Sequence, residues 1–80
     1  MTSIIRLERI DPARNMRRFY ALDIETDLFG GARLTKQFGR IGARGRVMAE
    51  HYDDAALALA ALQKQAERKR QRGYVLRFSS

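Results

Sequence analysis

Only one stretch of the 80-residue sequence has helical periodicity, and it follows four short segments that alternate in the manner of β-strands. The helical stretch opens at Asp53-Asp54, where carboxylates suit the unpaired amides of a helix N-terminus. It ends at Gly73, a residue that readily takes the left-handed conformation of a helix stop. An apolar stripe runs along it through Ala55, Leu59, Leu62 and Ala66. We therefore expect Leu59 and Leu62 to be buried against a sheet.

The alternating segments predict five strands. They cover residues 4–10, 18–25, 34–40 and 46–52, and, after the helix, residues 74–78. Asp11-Pro12 stops the first segment, and glycine-containing turns at residues 27–31 and 39–45 join the later ones as antiparallel neighbours. Four strands before one helix favour an α+β fold, an antiparallel β-sheet in the order ββββαβ with one helix packed on one face. We expect residues 1–80 to form a single domain.

Composition excludes several classes of protein. With 45% apolar and 31% charged residues the chain can fold, and with no cysteine it has no disulfide, thiol nucleophile or cysteine metal site. No apolar run approaches the roughly 18 residues of a membrane span, and the start does not resemble a signal peptide. We therefore expect a soluble cytoplasmic protein without contact to a membrane.

No catalytic or cofactor motif is visible in the sequence. His51 has no second ligand at metal-binding spacing, and the glycines match neither a phosphate loop nor a dinucleotide fingerprint. Asp23 and Glu25 share a strand face without a nearby nucleophile, so pairing with arginines explains them. We expect no enzyme activity, metal, cofactor or small-molecule substrate.

Charge gives the first indication of a partner. The chain has 16 basic and 9 acidic residues, a formal net charge of +7, and 13 of the basic residues are arginine. Arginine forms bidentate contacts with phosphate, and polyanions attract such chains by counterion release. Charge alone leaves DNA, RNA and an acidic protein open as partners, and it leaves open a merely solvated arginine-rich surface.

The turn from Arg40 to Arg46 carries three arginines between glycines. Arg40, Arg44 and Arg46 could hold phosphates there, or could simply be solvated on a hairpin. Phe38 lies two residues before Arg40 on the same strand face, which would place a stacking ring beside a cation. The alternative is that Phe38 packs with Leu34 under the helix. We expect partial burial, with the ring edge against Leu34 and one face open.

A second basic cluster lies at the end of the helix, at residues 68–72. Lys69 and Arg72 belong to this run, which is either a further phosphate-contacting patch or a solvated helix face.

Taken in order, these motifs resemble the WGR domain. The resemblance rests on Arg18-Phe19-Tyr20, Phe38-Gly39-Arg40-Ile41-Gly42 with Gly45, Ala55-Ala56, and Lys69 four residues before Gly73-Tyr74. WGR domains occur in poly(ADP-ribose) polymerases and as short standalone bacterial proteins, and their fold has the same ββββαβ order. In the polymerases the domain grips DNA near a strand break, where its tryptophan stacks on the terminal nucleotide and its arginine serves phosphate or interdomain contacts.

The resemblance implies roles for individual residues. Phe38 stands at the tryptophan position and keeps a stacking face without the indole N–H, and Arg40 matches the arginine of the triplet. Arg18 takes the place of a lysine, and Asn15 lies slightly upstream of the family's asparagine. Together with the arginines of the turn and of the helix end, the expected nucleic-acid-binding set is Phe38, Arg40, Arg44, Arg46, Arg18, Asn15, Lys69 and Arg72. The implied function is a nonenzymatic module that holds DNA backbone or ends; the alternative is a protein-interaction module that docks an acidic partner.

Overall fold

A computed structural model of the protein describes residues 2–80, with side chains from Ile4 onward; Met1 of the predicted domain lies outside the described residues. The elements are β1 (Thr2–Asp11), a 3₁₀ turn (Pro12–Arg14), β2 (Met16–Thr26), β3 (Ala32–Arg40), β4 (Arg46–Tyr52), α1 (Ala55–Gln71) and β5 (Val75–Ser79). The strands form one antiparallel sheet in the order β4-β3-β2-β1-β5. One helix packs on this sheet, and the predicted α+β fold is confirmed.

The β2–β3 hairpin is closed by the side chain of Asp27. Its Oδ1 accepts hydrogen bonds from the backbone N–H of Phe29 at 2.7 Å and of Gly31 at 2.9 Å. Gly30 takes a φ of +86°, a value that an L side chain rarely adopts. The turn holds Leu28 and Phe29 almost fully in solvent, at 97% and 94% exposure.

Both ends of α1 are capped as the sequence predicts. The Asp54 carboxylate accepts a hydrogen bond from the backbone N–H of Leu57 at 2.8 Å, which satisfies one of the free amides. At the other end Gly73, with a φ of +95°, donates to the carbonyl of Arg70, and Tyr74 donates to that of Lys69. This pattern ends the helix and turns the chain into β5.

The core lies between α1 and the sheet, and it corrects one prediction. Its buried members are Leu7, Tyr20, Leu22, Ile24, Ala32, Leu34, Ala58, Leu62 and Ala66. Leu62 is buried as expected, but Leu59 is 43% exposed and Ala55 is also exposed. The reason is the position of the helix: α1 packs mainly over β2, β3 and β4, so Leu59 lies on the side of the helix toward β5, where it is only partly covered. Leu59 instead lines an open groove of about 460 Å³ with Leu76 of β5.

The sheet face away from α1 contains a second, smaller buried site. Phe19 is only 3% exposed there, and the Arg6 guanidinium carbon lies 4.6 Å from its ring centroid. Gly39 and Gly45 complete the cover, because a Cβ on Gly39 would come within 2.8 Å of the Cα of Gly45, and a Cβ on Gly45 within 3.2 Å of the Phe19 ring. Only glycine lets the β3–β4 turn lie this close to the ring.

The two acidic residues of β2 on this face behave differently. Glu25 pairs with Arg33 at 3.0 Å, as predicted. Asp23 does not follow the prediction fully, because its Oδ1 is buried without a hydrogen-bond partner among the described residues. Burial, followed by the nearby charge of Glu25, raises the pKa of Asp23 above its usual value, while Arg33 has the opposite effect.

Two further observations bear on the excluded classes. Among residues 2–80, no helix combines the length and the hydropathy needed to cross a membrane. The same residues contain no group of three or more side chains that could hold a metal ion.

Candidate nucleic-acid interface

Charge is segregated along the length of the molecule, whose long dimension is 47 Å. The β1–β2 turn, the β3–β4 turn and the C-terminus of α1 meet at one end, which we call the basic end. It carries eleven of the 16 basic residues: Arg9, Arg14, Arg17, Arg18, Arg40, Arg44, Arg46, Arg68, Lys69, Arg70 and Arg72. The opposite end, with the β2–β3 hairpin and the start of α1, carries five of the nine acidic residues: Glu25, Asp27, Glu50, Asp53 and Asp54.

Two arginines face each other at the basic end. Arg18 of β2 and Arg40 of β3 are direct partners in the antiparallel register, so both side chains lie on the face that α1 covers further along. Neither forms an ion pair with a carboxylate in the described part of the chain. Like charges directly opposite each other destabilise a sheet. A bound anion would relieve this repulsion.

The next pair on the same face is aromatic. Tyr20 and Phe38 are register partners, and their rings stack with centroids 5.5 Å apart and planes inclined by 19°. Tyr20 is buried, while Phe38 is half-buried, so the expected partial burial of Phe38 is confirmed. The Phe38 ring stacks on Tyr20, and Phe38 packs against the core cluster that also contains Leu34.

Lys69 reaches this aromatic pair from the last turns of α1. Its Nζ lies 4.5 Å from the ring centroid of Tyr20 and 5.4 Å from that of Tyr74. Burial lowers the pKa of Lys69, and the nearby charges of Arg72 and Arg18 lower it further. The amine is therefore a cation held against aromatic faces in a positive environment.

Two recesses adjoin at this end. The aromatic pocket, of about 230 Å³, is lined by Arg18, Phe19, Tyr20, Phe38, Gly39, Lys69 and Tyr74. The arginine recess, of about 240 Å³, is lined by Arg14, Asn15, Met16, Arg17, Arg18 and Arg40. Arg18 belongs to both, so the two recesses form one continuous surface.

The structure brings five of the eight sequence-predicted residues together on this surface: Asn15, Arg18, Phe38, Arg40 and Lys69. Arg46 lies beside it as the register partner of Phe38 on the edge strand β4. Arg72 follows α1 close enough to affect the pKa of Lys69. Arg44 lies in the β3–β4 turn, where its backbone carbonyl accepts a hydrogen bond from the Gln37 side chain at 2.7 Å. These three residues line neither recess.

The sequence-based set omitted seven lining residues: Arg14, Met16, Arg17, Phe19, Tyr20, Gly39 and Tyr74. A signal for Tyr20 was present, because it lies two residues after Arg18 on an alternating strand and so shares its face. Tyr74 had no local signal, since its place beside Lys69 depends on where the chain turns after the helix.

Comparison with known proteins identifies the family of the chain. The family model of the WGR domain matches residues 4–79. The protein belongs to the WGR domain family. The match covers almost every described residue. Gly39 has a structural role, because it packs directly on Gly45.

One curated relative of this WGR domain is the uncharacterised protein y4dW of Sinorhizobium fredii (strain NBRC 101917 / NGR234). It is 43% identical over 68 residues, which are 85% of this chain and 33% of the relative. The chain therefore spans about a third of the length of that relative. No solved structure matches the chain significantly. WGR domains are known as nucleic-acid-binding modules in poly(ADP-ribose) polymerases, which fits a binding role for this chain.

Proposed function

We propose that this WGR domain is a nonenzymatic nucleic-acid-binding module that holds the backbone or an end of DNA at its basic end. One observation carries the proposal: the arginine pair Arg18–Arg40, which has no carboxylate partner in the described chain, lies directly beside the stacked rings of Tyr20 and Phe38. Cations beside an aromatic surface are the combination that binds single strands and strand ends.

The arginines would supply the affinity. Arg18, Arg40, Arg44, Arg46 and Arg72 lie at the basic end, and none of them pairs with a carboxylate among the described residues, so each could form bidentate contacts with a phosphate. Asn15 lines the arginine recess and would add an amide donor. Such contacts position a backbone and do not depend on base sequence.

The aromatic pocket would supply any preference for ends. One face of the Phe38 ring stacks on Tyr20, and part of the ring stays exposed. Lys69 lines the same pocket. Within an intact duplex a base is already stacked on both sides, whereas a terminal nucleotide has a free face for Phe38.

Fluorescence anisotropy tests the proposal with nicked, blunt-hairpin and single-stranded DNA of equal length at two salt concentrations. We expect binding that weakens with salt and is strongest for DNA with an accessible end. Arg18→Gln combined with Arg40→Gln should abolish most of it. Arg33→Gln, at the opposite end and paired with Glu25, is the matched control and should bind as the wild type does.

The same titration separates the acidic-protein alternative. Polyglutamate competes for charge but offers no base to stack, so it should displace DNA only weakly. Equal displacement by polyglutamate, together with unchanged DNA binding by Phe38→Leu, would favour an acidic protein partner. Absence of binding at low salt would reject the nucleic-acid function.

A further inference from the structure

We propose that the tip of the β2–β3 hairpin, formed by Leu28 and Phe29, docks onto the basic end of a second copy of this chain. The contact would form without nucleic acid. It would occupy the surface to which DNA binding is assigned above, so tip and DNA would compete; the competition, but not the contact itself, rests on the proposed function.

The hairpin tip is the most exposed apolar feature of the described chain. Leu28 and Phe29 are 97% and 94% exposed, and no other large apolar side chain of residues 4–80 exceeds 52%. The tip is also ordered, because the Asp27 carboxylate accepts hydrogen bonds from the backbone N–H groups of Phe29 and Gly31. A protruding, preorganised aromatic side chain loses little conformational entropy when it enters a pocket.

Carboxylates lie around the tip. Asp27 forms its base, and Tyr52 is the register partner of Ala32, so the turn with Asp53 and Asp54 begins beside the hairpin. None of these three carboxylates forms an ion pair with a described residue. A surface that receives the tip therefore needs an apolar face with positive charge next to it.

The basic end of a second copy offers this combination. The half-buried ring of Phe38 lies beside Arg18 and Arg40, which have no carboxylate partner in the described chain. Phe29 would pack on the exposed part of Phe38, as aromatic side chains commonly pair. The Asp27 carboxylate would then approach the two arginines and reduce their mutual repulsion.

The tip carries the same chemical groups as a terminal nucleotide. Phe29 supplies a flat ring, and Asp27 supplies an anion in the same turn, with its Oδ1 only 2.7 Å from the backbone nitrogen of Phe29. A terminal nucleotide presents a base and a phosphate. A surface that pairs an aromatic face with arginines suits both ligands, so we expect each to exclude the other.

The groove beside β5 is a poorer match for the tip. It offers apolar contacts through Leu59 and Leu76. Its charged residues, Glu67 and Arg70, pair with each other at 3.7 Å. They leave no net charge that would attract the acidic end of another copy.

Docking of this kind joins the copies head to tail. The tip and the basic end lie at opposite ends of the 47 Å axis, so each docked copy keeps one free tip or one free basic end. A heterologous contact that does not close forms open chains and not a closed dimer. Because a hairpin tip buries little area, we expect weak association that is visible at high protein concentration.

Sedimentation equilibrium of the full chain at low salt tests the contact. We expect the average mass to rise with protein concentration without a plateau at the dimer, and to fall when salt is added. Phe29→Ser should raise the dissociation constant at least about tenfold. Leu57→Ser is the matched control, because Leu57 is 51% exposed at the same end of the molecule, and this variant should associate as the wild type does.

Mixing two variants tests the head-to-tail geometry. Arg18→Gln combined with Arg40→Gln keeps the tip and removes the cations, whereas Phe29→Ser keeps the cations and removes the tip. Each protein alone should stay monomeric, and their mixture should form a 1:1 complex that does not grow further. A monomeric wild type, a monomeric mixture, or wild-type association by either variant would overturn the inference. Loss of association in Leu59→Ser alone would place the tip in the β5 groove and would overturn it as well.

Failure of this inference can be told apart from failure of the proposed function. Blunt-ended DNA should dissociate the wild-type assemblies, and assemblies that persist with DNA bound would overturn the shared surface. A monomeric wild type whose DNA binding equals that of Phe29→Ser would reject the docking and leave the DNA function standing. Wild-type assembly without DNA binding by Phe29→Ser would reject the DNA function and leave the docking standing.

Discussion

The ring of Phe38 lies on the ring of Tyr20, with centroids 5.5 Å apart, and this contact ties the exposed binding surface to the buried core. Tyr20 is 6% exposed and Phe38 is half-buried. Substitutions at Phe38 therefore affect folding and binding together, and the two effects have to be measured separately.

Phe38→Leu keeps apolar volume against Tyr20 but removes the stacking face. Loss of one aromatic–base contact costs about 1–3 kcal/mol, so we expect binding to DNA ends to weaken by roughly 5- to 150-fold. Phe38→Trp should strengthen end binding, because indole offers a larger face. Anisotropy gives the binding, and urea midpoints report stability. Equal end binding by all three proteins would exclude stacking at this position.

Arg40→Gln should make the protein more stable and a poorer binder at the same time. It relieves the like-charge pair with Arg18, which is worth about 0.2–1 kcal/mol in a cross-strand pair. The slope of log affinity against log salt should become shallower by about one unit, as expected for one lost phosphate contact. Thermal melts at low salt and an anisotropy titration measure the two effects.

Arg33→Gln serves as the control for this prediction. It lies at the opposite end and loses its ion pair with Glu25, so it should be slightly less stable with an unchanged slope. A shallower slope for Arg33→Gln would contradict the assignment of binding to the basic end.

Gly45→Ala should be far more destabilising than Gly42→Ala. Both glycines have positive φ, +74° and +94°, so each alanine is strained by about 1–2 kcal/mol. At Gly42 an added Cβ meets open space, whereas at Gly45 it would collide with the backbone carbonyl of Phe38. We expect Gly45→Ala to displace the β3–β4 turn and expose Phe19. Urea unfolding of the two variants measures the difference, and equal midpoints would contradict this packing.

Leu62→Ala and Leu59→Ala test the orientation of α1. Leu62 is 5% exposed, and its truncation should cost about 2–5 kcal/mol, as for other core leucines. Leu59 is 43% exposed beside the β5 groove, so its truncation should cost less than about 1 kcal/mol. Equal losses of stability in the two variants would indicate that Leu59 is buried as well, as the stripe of Ala55, Leu59, Leu62 and Ala66 predicts.

Asp23→Asn should stabilise the protein at neutral pH and not at acidic pH. The pKa of Asp23 in the folded state is raised above its ordinary value of 3.8. Between these two pKa values the folded state binds more protons than the unfolded state, so the stability falls as pH rises through this range. Asparagine removes the charge, and we expect a gain of about 1 kcal/mol at pH 7. Near pH 3 Asp23 is neutral in both states, so the two proteins should melt alike. A gain that persists unchanged at pH 3 would exclude the carboxylate as its cause.

Local sequence patterns were sufficient to predict the strands and part of the candidate site. Alternation placed Phe38 and Arg40 on one face, and Asp54 and Gly73 marked the helix ends where the structure has them. The side of the helix that faces the sheet was not predictable in this way. Because α1 is rich in alanine and leucine all round, its sequence contains two overlapping stripes, and the position of α1 over β2–β4 selects the one with Ala58.

The missing part of the site depends on contacts between distant segments. Tyr74 reaches Lys69 and the rings of β2 and β3 because β5 turns back to pair with β1 at the edge of the sheet. The burial of Phe19 depends on a turn that folds back over it more than 20 residues later in the chain. Neither relationship has a counterpart in local periodicity or composition.

The segregation of charge along the 47 Å axis gives the molecule a large electric dipole moment, with Arg40 near its positive pole and Asp27 near its negative one. The field of a polyanion exerts a torque on such a dipole and turns the arginines forward before any contact forms. Encounters with the hairpin end are repelled, so a greater share of collisions begins in a productive orientation. Added salt should therefore slow association as well as weaken the complex.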